Sequence, residues 1–327
     1  MAVHDIAHVE LFTRDKVSMV DHFVSAMGFT VAAEAVEVDR SSTLLRQGDV
    51  RLVVTTGHGI WGFLHQHGDG IADIALACDD VTATYEAARS AGAGPAPSRY
   101  GVPRLKAFGD VCHTLLPRHP AGSTPPGRRW VAAGTAPTPP VERILLLDHV
   151  AVCAPPQTTA DLAALYQDAF GFTRLSAPAE PPVLRSASER VTLALAAPAA
   201  TATPQDPLVG FLERNGGPGV QSLAFRSPDI VSGVRELRAR GMEFLPAPDA
   251  HDDRLAGHFP DLAGLRDAQV LAQGAPGAYL LQAFGRSPHE RGTLSYDLVQ
   301  RHGSPELGGA ALMARYAALE RHHVAVS

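Results

Sequence analysis

The sequence predicts an α+β fold of two similar halves, each built from paired βαβββ units. Two internal matches carry that reading. His8-Val-Glu-Leu and His149-Val-Ala-Val each open an apolar, strand-like run and lead into a helical stretch closed by Gly-Phe-Thr, at Gly28 and at Gly171. Farther along, GIADIALACDD from Gly70 matches GVQSLAFRSPD from Gly219, and each run leads to a second helical stretch ending at Gly92 or Gly241. The second match keeps a constant offset of 149 residues, and self-similarity of this kind means that one supersecondary unit is used again.

The elements follow in order. Val20, Phe23, Val24 and Met27 stand at i, i+3, i+4 and i+7, as do Leu162, Leu165, Tyr166 and Ala169, so both stretches are expected to be amphipathic helices. Side chains alternate along a strand, which puts His149 and Ala151 on one face and Asp148 and Val150 on the other. Gly122 to Pro140 is crowded with Pro, Gly, Ser and Thr and reads as a linker. The expected division is residues 1–121, a linker over 122–143, and 144–327, with the C-terminal helix as a lid. His65 and His67, in HQHGDG, are expected in a turn.

With 327 residues, 45% hydrophobic and 19% charged, the chain is long enough for two domains with their own cores. A formal charge of −6 without basic runs argues against nucleic acid or an anionic membrane as partner. MAVHDIAHVE has no signal-peptide pattern, so a cytoplasmic protein is expected, and a homo-oligomer. Cys78, Cys112 and Cys153 sit singly in apolar runs and read as small core residues.

GVQSLAF (Gly219–Phe225), SYDLVQR (Ser295–Arg301) and LLLDHVAV around His149, with STLLRQGDVRLVV, HGDGIADIAL and GAYLLQAF, cover nearly the whole chain. They resemble the 4-hydroxyphenylpyruvate dioxygenase and 4-hydroxymandelate synthase family, whose matching stretches look like GVQHIAF and FFEIIQR. The resemblance implies the vicinal oxygen chelate (glyoxalase/bleomycin-resistance-like) fold, with strands curled into a cup in each half. It also implies a non-haem Fe(II) centre of two histidines and a carboxylate, O2, and a small 2-oxo acid such as 4-hydroxyphenylpyruvate as substrate. The ligand positions here are His149, Ser222 and Asp297, so His149 and Asp297 are the metal candidates.

Ser222 replaces an imidazole by a neutral hydroxyl, a poor Fe(II) ligand. Asp297 is shorter than the family's glutamate by one bond, roughly 1.5 Å. Weak Fe(II) binding is therefore expected, unless substrate completes the coordination or His251 or His258 swings in. By the same resemblance Gln221, Gln282 and Phe284 face substrate, Leu307 and Leu312 replace ring-clamping phenylalanines, and Ala196-Ala197-Pro198 stands where a polar anchor is usual. His8, Asp73 and either His113 or Thr114 repeat the pattern in the first half, where a structural role is expected. The reading is a divergent family enzyme acting on a 2-oxo acid or related carbonyl compound in specialised metabolism. Two alternatives stay open. One is a metal-free protein that binds a small ligand in the same cup; the other is non-oxygenase catalysis with His149 as base, oriented by Asp297.

Overall fold

The structure, a computed structural model, describes residues 3–118, 123–134, 143–247, 262–275, 277–303 and 314–319. In the first half, strands β1 (Val3–Phe12), β2 (Thr30–Val36), β3 (Ser41–Gln47), β4 (Val50–Thr56), β5 (Gly70–Cys78), β6 (Arg104–Phe108), β7 (Val111–Pro117) and β8 (Val131–Ala132) form one sheet. The second half builds another from β9 (Leu146–Cys153), β10 (Thr173–Arg174), β11 (Val183–Arg185), β12 (Thr192–Ala196), β13 (Gly219–Arg226), β14 (Leu271–Ala275), β15 (Ala278–Ala283) and β16 (Ser295–His302).

The orders are β6-β7-β5-β1-β4-β3-β2-β8 and β10-β11-β12-β9-β13-β16-β15-β14. Read in opposite directions they share one arrangement over seven strands, β6-β7-β5-β1-β4-β3-β2 matching β15-β16-β13-β9-β12-β11-β10, with an antiparallel central pair (β1/β5, β9/β13) flanked by parallel partners (β4 and β7, β12 and β16). The duplication in the sequence is therefore a duplication of topology.

Helices α1 (Lys16–Asp21, continued by π turns over His22–Ala26), α2 (Trp61–His67), α3 (Val81–Ser90), α4 (Pro156–Asp168), α5 (Pro207–Asn215), α6 (Ile230–Ala239) and α7 (Leu262–Asp267) are joined by a short 3-10 turn at His58–Ile60 and a helical stretch over 314–319. The repeat extends to the caps: Asp80 accepts from Ala83 N–H and Asp229 from Ser232 N–H at the starts of α3 and α6.

Both halves share one core. Phe23 of the α1 segment meets Tyr296 of β16 with ring centroids 5.0 Å apart, and Phe29 meets Phe225 of β13 at 6.0 Å. In return, α4 sends Tyr166 to β7. His113 Nδ1 donates to the Ile74 carbonyl at 2.8 Å, which leaves Nε2 to accept from Tyr166 O–H at 2.6 Å. Burial pushes the His113 pKa down to about 4. That contact decides between His113 and Thr114: His113 faces the core, whereas Thr114 Oγ1 bonds Asp73 on the cup side.

Two expectations change here. His65 and His67 lie on α2, and buried His67 bonds Asp110 and the Asn215 carbonyl. The Pro- and Gly-rich segment contains β8, which pairs with β2, and Arg128, whose side chain enters the first-half cup.

Candidate functional site

The second-half cup brings His149, Ser222 and Asp297 together. Register pairs His149 on β9 with Ala224 on β13, and Ala224 with Asp297 on β16. Two inter-strand spacings place His149 and Asp297 roughly 10 Å apart at the backbone, within reach of two side chains. Ser222, two residues back on β13, pairs with Ala151 and Ser295 and is buried. Strand alternation alone misplaces two neighbours. The β9/β13 register skips Asp148 and Gln221, which are bulged residues, and a bulge re-aims its side chain.

Asp148, expected on the opposite face, consequently joins the site. Its Oδ1 accepts from His149 Nδ1 at 2.9 Å, and Arg301 and Arg226 also hold the carboxylate. Burial works to raise the Asp148 pKa, but the hydrogen bonds from Arg301 and His149 outweigh it and hold the carboxyl well below the ordinary range. With its Nδ1 proton directed at Asp148, neutral His149 keeps its lone pair on Nε2, the nitrogen that can act as base or ligand. The expected pairing of His149 with an orienting Asp297 is replaced by pairing with Asp148.

Asp297 is engaged elsewhere. Arg315, in the helical stretch 314–319, sets Nη1 at 2.6 and 2.7 Å from the two carboxylate oxygens, and its Nη2 reaches Ser295 Oγ. Gly285 N–H donates to Asp297 Oδ1 at 2.9 Å. Glycine is required there, because a Cβ would lie 1.9 Å from the Tyr296 carbonyl oxygen. Both members of the Asp297–Arg315 pair are buried, each side chain only 6% exposed. Beside it Tyr316 O–H donates to Gln221 Oε1 at 2.7 Å, and Tyr316 joins the buried apolar cluster that includes Ala151 and Ala224.

Of the substrate candidates, Gln282 is buried with its Oε1 unpartnered among the described residues. Phe284 packs with Leu245, Leu271 and Ala318 under the C-terminal helix rather than toward an open space. Ala196 sits in the apolar wall of the cup. Leu307, Leu312, His251 and His258 lie outside the described residues. Sequence reasoning missed Arg315, Tyr316 and Asp148, as well as Arg226 and Arg301, although the last two close the very runs GVQSLAFR and SYDLVQR. An opening of about 450 Å³, lined by Gln221, Arg315, Arg214, Arg286, Arg291 and His289 among others, adjoins the site and stops short of His149.

Comparison with known proteins agrees with this architecture. The family description "Hydroxyphenylpyruvate dioxygenase, HPPD, N-terminal" matches residues 1–120, and "Glyoxalase/Bleomycin resistance protein/Dioxygenase superfamily" matches residues 146–267. A solved mutant of 4-hydroxymandelate synthase from Streptomyces coelicolor is 36% identical, superposes with a TM-score of 0.86, and is covered over 99% of this chain and 100% of its own. The chain belongs to the 4-hydroxyphenylpyruvate dioxygenase/4-hydroxymandelate synthase family. A 4-hydroxyphenylpyruvate dioxygenase of Aspergillus fumigatus is 23% identical across 96% of this chain and 91% of that protein. A second protein of that fungus, a probable 4-hydroxyphenylpyruvate dioxygenase 2, is 28% identical across 80% of this chain and 72% of its own length.

Family members are non-haem iron dioxygenases. The residues described here do not fit such an ion. Ser222 offers a neutral hydroxyl, and Asp297 has both oxygens on a guanidinium. Among the described residues no three His, Cys, Asp or Glu side chains are placed to share a metal.

Proposed function

We propose that this protein is a divergent family enzyme that takes a 2-oxo acid or related carbonyl compound into its C-terminal cup without a tightly held Fe(II). The observation that carries this reading is the buried Asp297–Arg315 pair: the guanidinium supplies, beside the carboxylate, the positive charge that a metal would otherwise supply. Ser222 in place of an imidazole points the same way. The opening is lined by Arg214 and Arg291 with Glu290, and by Arg286 and Arg315, which are paired with Glu243 and Asp297; the arginine N–H groups there can receive a carboxylate.

His149, set by Asp148 in the tautomer with Nε2 unprotonated, is the group that can take a proton from carbon next to a carbonyl. Since the opening stops short of His149, substrate reaches it when the 314–319 stretch moves aside. Small-molecule substrate and O2 remain the partners expected of the family. A metal-free binding protein is the second reading, favoured by the same ion pair and distinguished by tight binding without turnover.

The test combines anaerobic Fe(II) titration, O2 uptake with 4-hydroxyphenylpyruvate, and exchange of the C3 protons of phenylpyruvate in D2O. Weak iron binding, O2 uptake below about 1 per second, and proton exchange abolished by His149→Ala are expected. Stoichiometric iron with rapid O2 uptake would overturn the proposal.

A further inference from the structure

The cup that stands open is the first one. A cavity of about 320 Å³ lies between the sheet of the N-terminal half and a cover that includes Tyr100, Pro125, Pro126 and Arg128. Position for position the two cups have diverged. Register sets Glu10 beside Asp73 where the second half has Ala151 beside Ser222, so carboxylates replace small side chains. The second cup is filled by Tyr316 and small apolar groups, whereas the first keeps its space.

Two ion pairs, each with a buried carboxylate, stand on its walls. Arg128 bonds Glu10 through Nη2 and Tyr100 O–H through Nε. Arg104 bonds Asp73 through Nε at 2.7 Å and the Pro97 carbonyl through Nη1. Each arginine thereby neutralises one carboxylate while keeping donors on its other terminal nitrogen, since a guanidinium has five N–H groups. Burial raises the Asp73 pKa to about 6 despite Arg104, so the carboxyl is still mostly ionised at pH 7 and needs its arginine partner. Arg40 and Arg99 stand at the rim, both paired with Asp39, and Asp110 also lines the cavity, so the charge that can meet a ligand's acid group is that of Arg104 and Arg128. Opposite them, Phe12, Ile60 and Phe63 make an apolar wall, with the two phenylalanine rings edge to face at 5.3 Å.

Packing gives no reason for such a space. Interiors close to the density of organic crystals, and buried ion pairs are a weak source of stability. The cover is also clamped, because Arg128 lies over the Tyr100 and Trp130 rings at 5.3 and 5.7 Å. At roughly 30 Å³ per group the cavity holds about ten non-hydrogen atoms.

We propose that the N-terminal cup is a second binding site, for a small organic carboxylate with an apolar or aromatic body. The acid group meets Arg104 and Arg128, the body lies against Phe12 and Phe63, and His8 and Thr114 line the floor. This site is independent of the one proposed for the C-terminal cup.

The test uses phenylacetate as probe and benzylamine as a cationic molecule of similar shape, followed by calorimetry and ligand-observed NMR. Ala72 and Gln221 occupy equivalent bulged positions in the two cups, which makes a matched pair of variants. Ala72→Leu fills the first cup without touching its charges and should weaken phenylacetate binding by about 10-fold or more, as should Arg128→Gln. Gln221→Leu should leave this binding unchanged, and benzylamine should not compete. Binding that survives Ala72→Leu but falls with Gln221→Leu would assign the probe to the C-terminal cup alone and overturn the proposal. Preference for benzylamine would overturn the ligand class, and no binding of phenylacetate at about 1 mM would reduce the cavity to an architectural void.

Discussion

Arg315→Met removes the guanidinium that holds Asp297 while keeping most of the side chain's apolar length. In the native chain Asp297 has contacts from Arg315 Nη1 to both oxygens and one bond from Gly285 N–H. After substitution only the Gly285 contact remains among these, around a buried carboxylate. Breaking a buried pair by removing one partner costs about 3–5 kcal/mol, because the remaining charge is left without compensation. The full cost appears only if the 314–319 stretch stays docked, since release of that stretch would let water reach Asp297. The measured loss is therefore the smaller of the two quantities, the pair energy or the docking energy. Urea denaturation should give a global loss of about 2 kcal/mol or more, and hydrogen exchange in 314–319 should rise if undocking sets the limit. Adding Asp297→Asn should recover part of the loss, with a coupling energy of about 0.5–3 kcal/mol in the double-mutant cycle. A loss below about 0.5 kcal/mol with no coupling would mean that the pair does not exist in solution and that Asp297 is free to bind iron.

Ser222→His alone should raise Fe(II) affinity little, because Arg315 still occupies Asp297; combined with Asp297→Glu and Arg315→Met it should raise affinity by at least about 10-fold in anaerobic calorimetry. Asp73 has a folded pKa raised to about 6, chiefly by burial, so the native state binds the extra proton and stability falls as pH rises from about 4 through 6. Urea midpoints of Asp73→Asn should lack that decline. Asp148 behaves oppositely: its pKa is held low, so the stability it contributes is present above about pH 4 and is lost as pH falls below that value. Asp148→Asn should flatten this acid limb while weakening the fold at pH 7.

The sequence by itself determined the duplicated architecture and the strands that carry the site. Those properties are written locally: apolar alternation around His149 and Ser222, helical spacing from Val20 to Met27, and helix ends at Gly92 and Gly241. Resemblance to the family placed His149, Ser222 and Asp297 on adjoining strands, and the register brings them to one cup. Tertiary structure alone decided what each of them touches. Skipped register at Asp148 and Gln221 turns neighbours of the expected residues into the cup, and no alternation rule reveals a bulge. Arg315 reaches Asp297 across 18 residues of chain, through the docking of the helical stretch 314–319, and nothing local in the sequence ties the two together. The open first cup depends on a linker arginine folding back onto Glu10 over 118 residues of separation. Partners so far apart in the chain meet only through packing, and the charge they bring decides whether a cup holds a metal, an arginine or an open space.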